Sequence, residues 1–247
     1  MFAHYIGIIP RALWKLLFVL NFILSMILLW PLFFILLSSK KYRTAFKCMR
    51  VWARWVLTIP GIIPRVKREA DPREIKGACI FVANHSSYLD IVVSYIAIPT
   101  YFVYMGKAEI DKAPLLRMFF KGMNIYVDRK TRSGSYLAFQ LAAEKLRNGE
   151  SVFIYPEGTI ESKGHLKSFK NGAFRLAIEN QVPIVPITFL GNWKLLQNGG
   201  FFKSHGRPGL THVIVHKPVF TNGMTEEDLI PLRHRVREMI AKDLGQI

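Results

Sequence analysis

The chain has 247 residues, long enough to bury a core of its own without disulfides or metal. Hydrophobic residues make up 51% and charged residues 21%, which excludes a disordered chain; two cysteines, Cys48 and Cys79, exclude a disulfide framework or a zinc cluster. Lys and Arg outnumber Asp and Glu by 34 to 17, and a net charge of +17 calls for an anionic partner: nucleic acid, a membrane surface or a phosphorylated substrate.

The charge is unevenly placed. Eleven basic residues precede the first acidic one, Glu69. Among them lies the greasiest stretch, residues 13–37, interrupted only by Lys15, Asn21, Ser25 and Pro31. At about 1.5 Å per residue it is long enough for a bilayer core of roughly 30 Å. A cleaved signal peptide has a shorter apolar core and a small-residue cleavage site, and Ser38-Ser39-Lys40-Lys41 is a poor one. Residues 40–59 follow with Phe46, Met49, Trp52, Trp55, Val56 and Ile59 at helical spacing and Lys47, Arg50 and Arg54 on the other side. Such a basic amphipathic helix suits an anionic headgroup zone, and this placement is expected in preference to packing on its own domain. Residues 1–64 are therefore expected to form a membrane-associated two-helix segment. The first helix crosses the bilayer with the later chain on the cytoplasmic side, or the pair sinks into one leaflet as a hairpin bent at Pro31; the second is favoured.

From residue 71 the pattern is different. Strands are expected at 78–83, 101–105, 124–128, 151–155, 184–189 and 211–216. Helices are expected at 88–98, 135–147, 171–180 and 225–244, the last capped by Thr225. The alternation predicts one α/β domain over residues 65–247, with a largely parallel sheet flanked by helices. In open α/β sheets, sites lie beyond the carboxyl ends of the strands.

Three expected strands end in polar clusters. The first runs Asn84-His85-Ser86-Ser87-Tyr88-Leu89-Asp90. A carboxylate five residues on, across a turn, can reach Nδ1 of the ring, fix the tautomer and leave Nε2 as a general base. Seven histidines and six aspartates yield one such pair by chance about one time in six, so the pair needs its neighbours to carry weight. Ser86 and Ser87 are candidate nucleophiles, but no G-x-S-x-G elbow exists. The second cluster is Asp128-Arg129, whose guanidinium suits a phosphate. The third is Pro156-Glu157-Gly158-Thr159, followed by Lys163, His165, Lys167 and Lys170. Glu157 could bind substrate hydroxyls or hold Arg129. No metal-binding spacing, Walker A loop or dinucleotide fingerprint occurs.

Four blocks in order resemble the glycerolipid acyltransferase family that includes 1-acylglycerol-3-phosphate acyltransferases. They are Asn84 to Asp90, Gly122 to Arg129, Tyr155-Pro156-Glu157-Gly158-Thr159, and Val182-Pro183-Ile184-Val185-Pro186-Ile187. Lys107 with Glu109 resembles the family's lysine-containing stretch between the first two. The family often has arginine after the third block, where this chain has Ile160; Lys163 or Lys167 would substitute. The resemblance implies acyl transfer from acyl-coenzyme A or acyl carrier protein to the sn-2 hydroxyl of a lysophosphatidic acid. His85 and Asp90 would be catalytic, and Arg129, Glu157, Gly158, Thr159, Lys107 and Asn84 would bind substrate. No cofactor or metal is implied beyond the thioester substrate. The expected partners are a bilayer with anionic lipids, met at the cytoplasmic face of a membrane, and no nucleic acid. Glycerol 3-phosphate or another lysophospholipid is the alternative acceptor. A serine lipid esterase and a basic membrane-anchored binding protein are the alternatives of other classes.

Overall fold

The computed structural model describes residues 8–107, 117–119, 122–128 and 131–246. Helix α1 (Ile8–Ser38) continues without interruption through Pro31. Helix α2 (Tyr42–Thr58) folds back along it. Trp14 Nε1 donates to Pro60 O at 2.8 Å, Asn21 Nδ2 to Val56 O at 3.1 Å, and Trp52 Nε1 to Ser25 Oγ at 2.9 Å. Residue numbers rise on one helix as they fall on the other, so the pair is an antiparallel hairpin.

The polar residues that interrupt the apolar run all face protein. Asn21 and Ser25 bond across to α2, and Lys15 Nζ donates to Phe201 O at 2.8 Å and Ser204 Oγ at 2.6 Å. The opposite face carries Leu13, Leu16, Leu17, Leu20, Leu24 and Leu28, all exposed, at helical spacing and without a polar break. A face of that kind is stable only against lipid or another apolar surface.

Helix α2 departs from expectation. Its apolar face does not point to a headgroup zone: Phe46, Met49, Trp52 and Val56 are buried on the domain. The Phe46 ring lies 5.0 Å from Phe102 and 5.4 Å from both Tyr95 and Tyr101. The aromatic-rich sheet face beneath it needs a cover, and burial of those side chains, about 1.5–3 kcal/mol each, outweighs what an interfacial location offers. Of its apolar residues only Val51 and Trp55 stay exposed on the outer side, as does Ile59 just past its end.

Among the described residues seven strands form one sheet: β1 (Ile62–Arg68), β2 (Ile80–Ala83), β3 (Phe102–Lys107), β4 (Ile125–Val127), β5 (Ser151–Ile154), β6 (Ile184–Leu190) and β7 (Gly209–Val215). Their order is β1-β7-β6-β2-β5-β3-β4. All neighbours are parallel except β6 and β7. The largely parallel α/β architecture is thus present. Strand β1 was not foreseen; it straddles the expected boundary at residues 64 and 65. Its Arg65, Lys67 and Arg68 obscure a pattern whose only fully buried member is Ile62.

Helix α3 (Leu89–Ala97) packs under α2 on one sheet face. Helices α4 (Arg132–Arg147), α5 (Gly172–Asn180) and α7 (Leu229–Asp243) cover the other, while α6 (Asn192–Leu195) caps the end of β6. The expected last helix begins as a 3-10 turn, Glu226–Asp228, where Thr225 and Asp228 form a capping box, and becomes α-helical only at Leu229. Alternation along β2 shows the layering. Phe81 and Ala83 join the core under α1–α3, while Ile80 and Val82 join the core under α4, α5 and α7.

Candidate active site

Strands β2, β5, β3, β4 and β6 end at one edge, and the polar clusters meet there. Asn84 leaves β2 with its amide engaged at both ends. Its Nδ2 donates to Phe189 O at 3.0 Å and its Oδ1 accepts from Phe189 N at 2.8 Å. The side chain therefore clasps β2 to β6 as the sheet ends, rather than turning outward to a substrate.

His85 comes next, and three contacts set its position. Asp90, in the first turn of α3, accepts from Nδ1 on its Oδ2 at 2.9 Å. The same oxygen accepts from the main-chain N–H of Ser86 at 2.7 Å and of Ser87 at 2.9 Å. Two main-chain donors leave Oδ2 only an accepting role, so Nδ1 carries the hydrogen and Nε2 the lone pair. Nε2 has no hydrogen-bond partner among the described residues. The Tyr155 ring stacks on the imidazole, centroids 3.8 Å apart and planes 14° from parallel, and fixes its tilt. Burial pushes the Tyr155 phenol well above its ordinary range, so that face stays uncharged.

Asp90 is fully buried, and its second oxygen is also occupied. Asn192 Nδ2 donates to Oδ1 at 2.7 Å, and Thr211 Oγ1 in turn donates to Asn192 Oδ1. Buried carboxylates need such a full set of donors. Neither Asn192 nor Thr211 was anticipated. The available signal was only that Gly191-Asn192 follows a strand at the same sheet edge.

The two serines separate. Ser87 Oγ donates to Leu196 O at 2.5 Å and accepts from Leu89 N at 3.1 Å, so it closes the start of α3 and is committed. Ser86 Oγ is buried and lacks a partner among the described residues.

Glu157 grips main chain on both sides. Oε1 accepts from His85 N at 2.7 Å and Oε2 from Lys167 N at 3.0 Å. It thus ties the loop after β5 to the histidine, and Glu161 N adds a bond to His85 O at 2.8 Å. Burial pushes the Glu157 carboxyl up to about 7, against the pull of the two N–H donors. A carboxyl raised above its unfolded value makes the folded state bind more protons between the two values, so stability falls as pH rises from about 4.5 through about 7. The wild type should lose on the order of 2 kcal/mol across that window from this group. Glu157→Gln should flatten that slope and lose one of the two loop anchors, because an amide offers one accepting oxygen. Thermal unfolding in micelles at pH 5 and pH 8 checks both; an unchanged slope in the variant removes Glu157 as its source.

The turn at Gly158 has φ +76 and closes with Gly158 N donating to Tyr155 O at 3.1 Å. Thr159 is exposed at the rim. Lys167 Nζ pairs with Glu161 Oε2 at 3.1 Å, while Lys163 is exposed. Lys107 ends β3 at the same edge; its side chain, like Arg129 and Glu109, lies outside the described residues. Among the described residues no group of three or more His, Cys, Asp or Glu could hold a metal ion.

The model of the family named Acyltransferase matches residues 63–190, more than half of the chain and every element of this edge up to β6. The chain belongs to the Acyltransferase family. A chloroplastic 1-acyl-sn-glycerol-3-phosphate acyltransferase of Brassica napus is 32% identical over 144 residues, 58% of this chain and 41% of that protein. The beta 1-acyl-sn-glycerol-3-phosphate acyltransferase of Homo sapiens is 33% identical over 165 residues, 64% of this chain and 58% of that protein. The chain thus spans about half the length of these curated relatives. The crystal structure of the 1-acyl-sn-glycerophosphate (LPA) acyltransferase PlsC of Thermotoga maritima has the same fold. It superimposes with a TM-score of 0.79 over 96% of each chain, at 23% identity.

Proposed function

We propose that the protein moves an acyl group from a thioester donor, acyl-coenzyme A or acyl carrier protein, to the sn-2 hydroxyl of a 1-acylglycerol 3-phosphate. The observation that carries this reading is the His85–Asp90 contact: a buried carboxylate fixes Nδ1 at 2.9 Å and leaves Nε2 open at the sheet edge. His85 Nε2 takes the hydroxyl proton as the oxygen attacks the thioester carbonyl. The C–O bond forms, the C–S bond breaks, and the thiolate leaves with the proton that His85 returns. A thiol of pKa about 8.5 is a good enough leaving group to need no second acid. Arg129 and Lys107 hold the acceptor phosphate, and the Gly158–Thr159 turn borders the acceptor.

Both acceptor and product are lipids, and the bare apolar face of α1 supports a lipid setting. Its two ends both contact the domain, through Lys15 with Ser204 and through the Phe33 and Phe119 rings 4.9 Å apart. A helix held along its length in this way lies in one leaflet beside the domain instead of crossing the bilayer. Leu20→Asp with Leu24→Asp, both on the outward face, should cut flotation with phosphatidylglycerol-containing vesicles at least tenfold, since each buried leucine contributes about 1.5–3 kcal/mol. Equal flotation of the folded variant and wild type would refute this contact.

The activity is tested by offering both thioester donors to the purified protein in lipid, with 1-acylglycerol 3-phosphate, glycerol 3-phosphate and larger-headgroup lysophospholipids as competing acceptors. Phosphatidic acid should be the dominant product. A preference for another acceptor would refute the acceptor assignment while leaving the chemistry standing.

A further inference from the structure

A hairpin beside the active-site edge leaves two phenylalanines to solvent. It covers residues 196–206 and is closed by the antiparallel pairing of Leu196 with Gly206 and by Gln197 N donating to His205 O at 3.0 Å. At its tip Phe201 is 41% and Phe202 65% exposed, with ring centroids 5.3 Å apart. Single exposed apolar residues are ordinary, but an adjacent aromatic pair at a hairpin tip marks a contact surface. Lys203 and His205 beside it are exposed, and the sequence has no acidic residue between Glu179 and Glu226.

The hairpin is fastened on two sides. Lys15 Nζ, buried on α1, donates to Phe201 O at 2.8 Å, to Ser204 Oγ at 2.6 Å and to Ser204 O, which engages all three of its hydrogens. The main chain at Gly206 lies on the lysine stem, where a Cβ would come within 2.6 Å of Lys15 Cγ. The roots are held by the turn just after His85: Ser87 Oγ donates to Leu196 O at 2.5 Å, and Tyr88 N to Asn198 Oδ1 at 3.3 Å. The hairpin therefore bridges α1 and the turn that carries the histidine. Its place around α1 follows from a turn of about 100° per residue. Trp14, Asn21 and Ser25, which bond to α2 and the turn after it, fall on one side of Lys15. Exposed Val19 and Ile23 fall on the other and lead round to Leu16 and Leu20 of the bare face. The hairpin thus adjoins that face.

We propose that, in the lipid setting proposed above for α1, Phe201 and Phe202 are a second insertion point in the same leaflet, with Lys203 at the anionic headgroups. Aromatic rings suit the acyl boundary, and a neighbouring lysine suits lipid phosphates. The second point has a mechanical consequence. A helix lying in a leaflet is free to roll about its own axis, and a contact off that axis fixes the roll. Because the hairpin is rooted on Ser87 and Tyr88, the same contact holds the His85 edge against the leaflet from which a lipid acceptor comes. A second copy of the chain would also cover the two rings, but it would bring Lys203 and His205 against a surface of like charge.

The test places spin labels on Phe202→Cys and, as a reference, on Glu227→Cys, which is exposed in the turn before α7. Both carry Cys48→Ser, which leaves only the buried Cys79. With the full chain on phosphatidylglycerol-containing vesicles, the ratio of oxygen to nickel-chelate accessibility should be severalfold higher at 202 than at 227. Equal ratios overturn the proposal, and dipolar broadening between labels at 202 overturns it in favour of a second copy. Kinetically, Phe201→Ser/Phe202→Ser should raise KM for long-chain 1-acylglycerol 3-phosphate in vesicles about tenfold, with kcat and KM for a short-chain, monomeric acceptor unchanged. An equal loss on both acceptors overturns it, because a merely structural hairpin would disturb His85 for either. The labels need no turnover. Immersion at 202 in a protein that transfers no acyl group from either donor keeps the insertion and drops the functional reading, whereas a water-exposed label on an active enzyme drops the insertion alone.

Discussion

His85→Ala should lower kcat by about 10²- to 10⁴-fold while the protein stays folded and keeps its affinity for lipid. The size follows from what the ring does. An alcohol is a weak nucleophile at neutral pH, and among the described residues Nε2 is the open base at this edge whose other nitrogen is held by a buried carboxylate. The fold should tolerate the change, because Glu157 and Glu161 hold residue 85 through its main chain and Asp90 keeps Ser86 N, Ser87 N and Asn192 as donors. Circular dichroism and acyl-transfer assays on the same preparation check both halves. Ser86→Ala is the informative companion. A direct transfer leaves it active, whereas a serine-ester route loses activity and traps an acyl-serine on Ser86 in wild type. A fully active His85→Ala variant would remove the histidine from the chemistry.

Much of this edge was legible beforehand because it is local. His85 and Asp90 are five residues apart, the strand before them is continuously apolar, and four ordered blocks carry the resemblance. What was illegible depends on distant residues. Asn192 reaches Asp90 from 102 residues away, with Thr211 behind it, and nothing in the Gly191-Asn192 dipeptide announces that. Glu157 was read as a substrate or arginine contact, but its carboxylate holds main-chain N–H groups, which have no sequence signature. The second helix shows the same limit. Its periodicity identifies an apolar face correctly but cannot say whether lipid or the aromatic sheet face covers it. Strand β1 was missed because it exchanges its bonds with β7, whose Gly209 pairs with Ile62, and three of its seven side chains are basic and exposed. The polar residues of α1 taught the opposite lesson: Lys15, Asn21 and Ser25 look like flaws in an apolar run, and each is a contact to the domain.

Asp90→Asn is the sharper substitution, because it preserves shape and changes only donors and acceptors. Oδ2 accepts three hydrogens and Oδ1 one, so the aspartate faces donors on every side. An asparagine must turn its NH₂ toward one of the two sets. Turned toward His85, it opposes Ser86 N and Ser87 N and forces Nδ1 to accept, which moves the hydrogen to Nε2 and abolishes the base. Turned toward Asn192, it opposes the Asn192 amide. That clash has an exit: Asn192 can flip, offering its oxygen to residue 90 and its NH₂ to Thr211 Oγ1, which can accept. The second arrangement satisfies every main-chain donor and should prevail. Nδ1 then still donates, but to a neutral amide that cannot stabilise the imidazolium formed as Nε2 takes the proton. Turnover should therefore fall by about 10²-fold or more with KM for both substrates nearly unchanged, a loss made in the transition state. The melting temperature should move little, and Thr211→Val in the same background should lower it further by stranding the flipped amide. Turnover equal to wild type in a folded Asp90→Asn protein would reduce Asp90 to a structural cap of α3. Loss of folding in Asp90→Asn alone would show that Asn192 cannot flip.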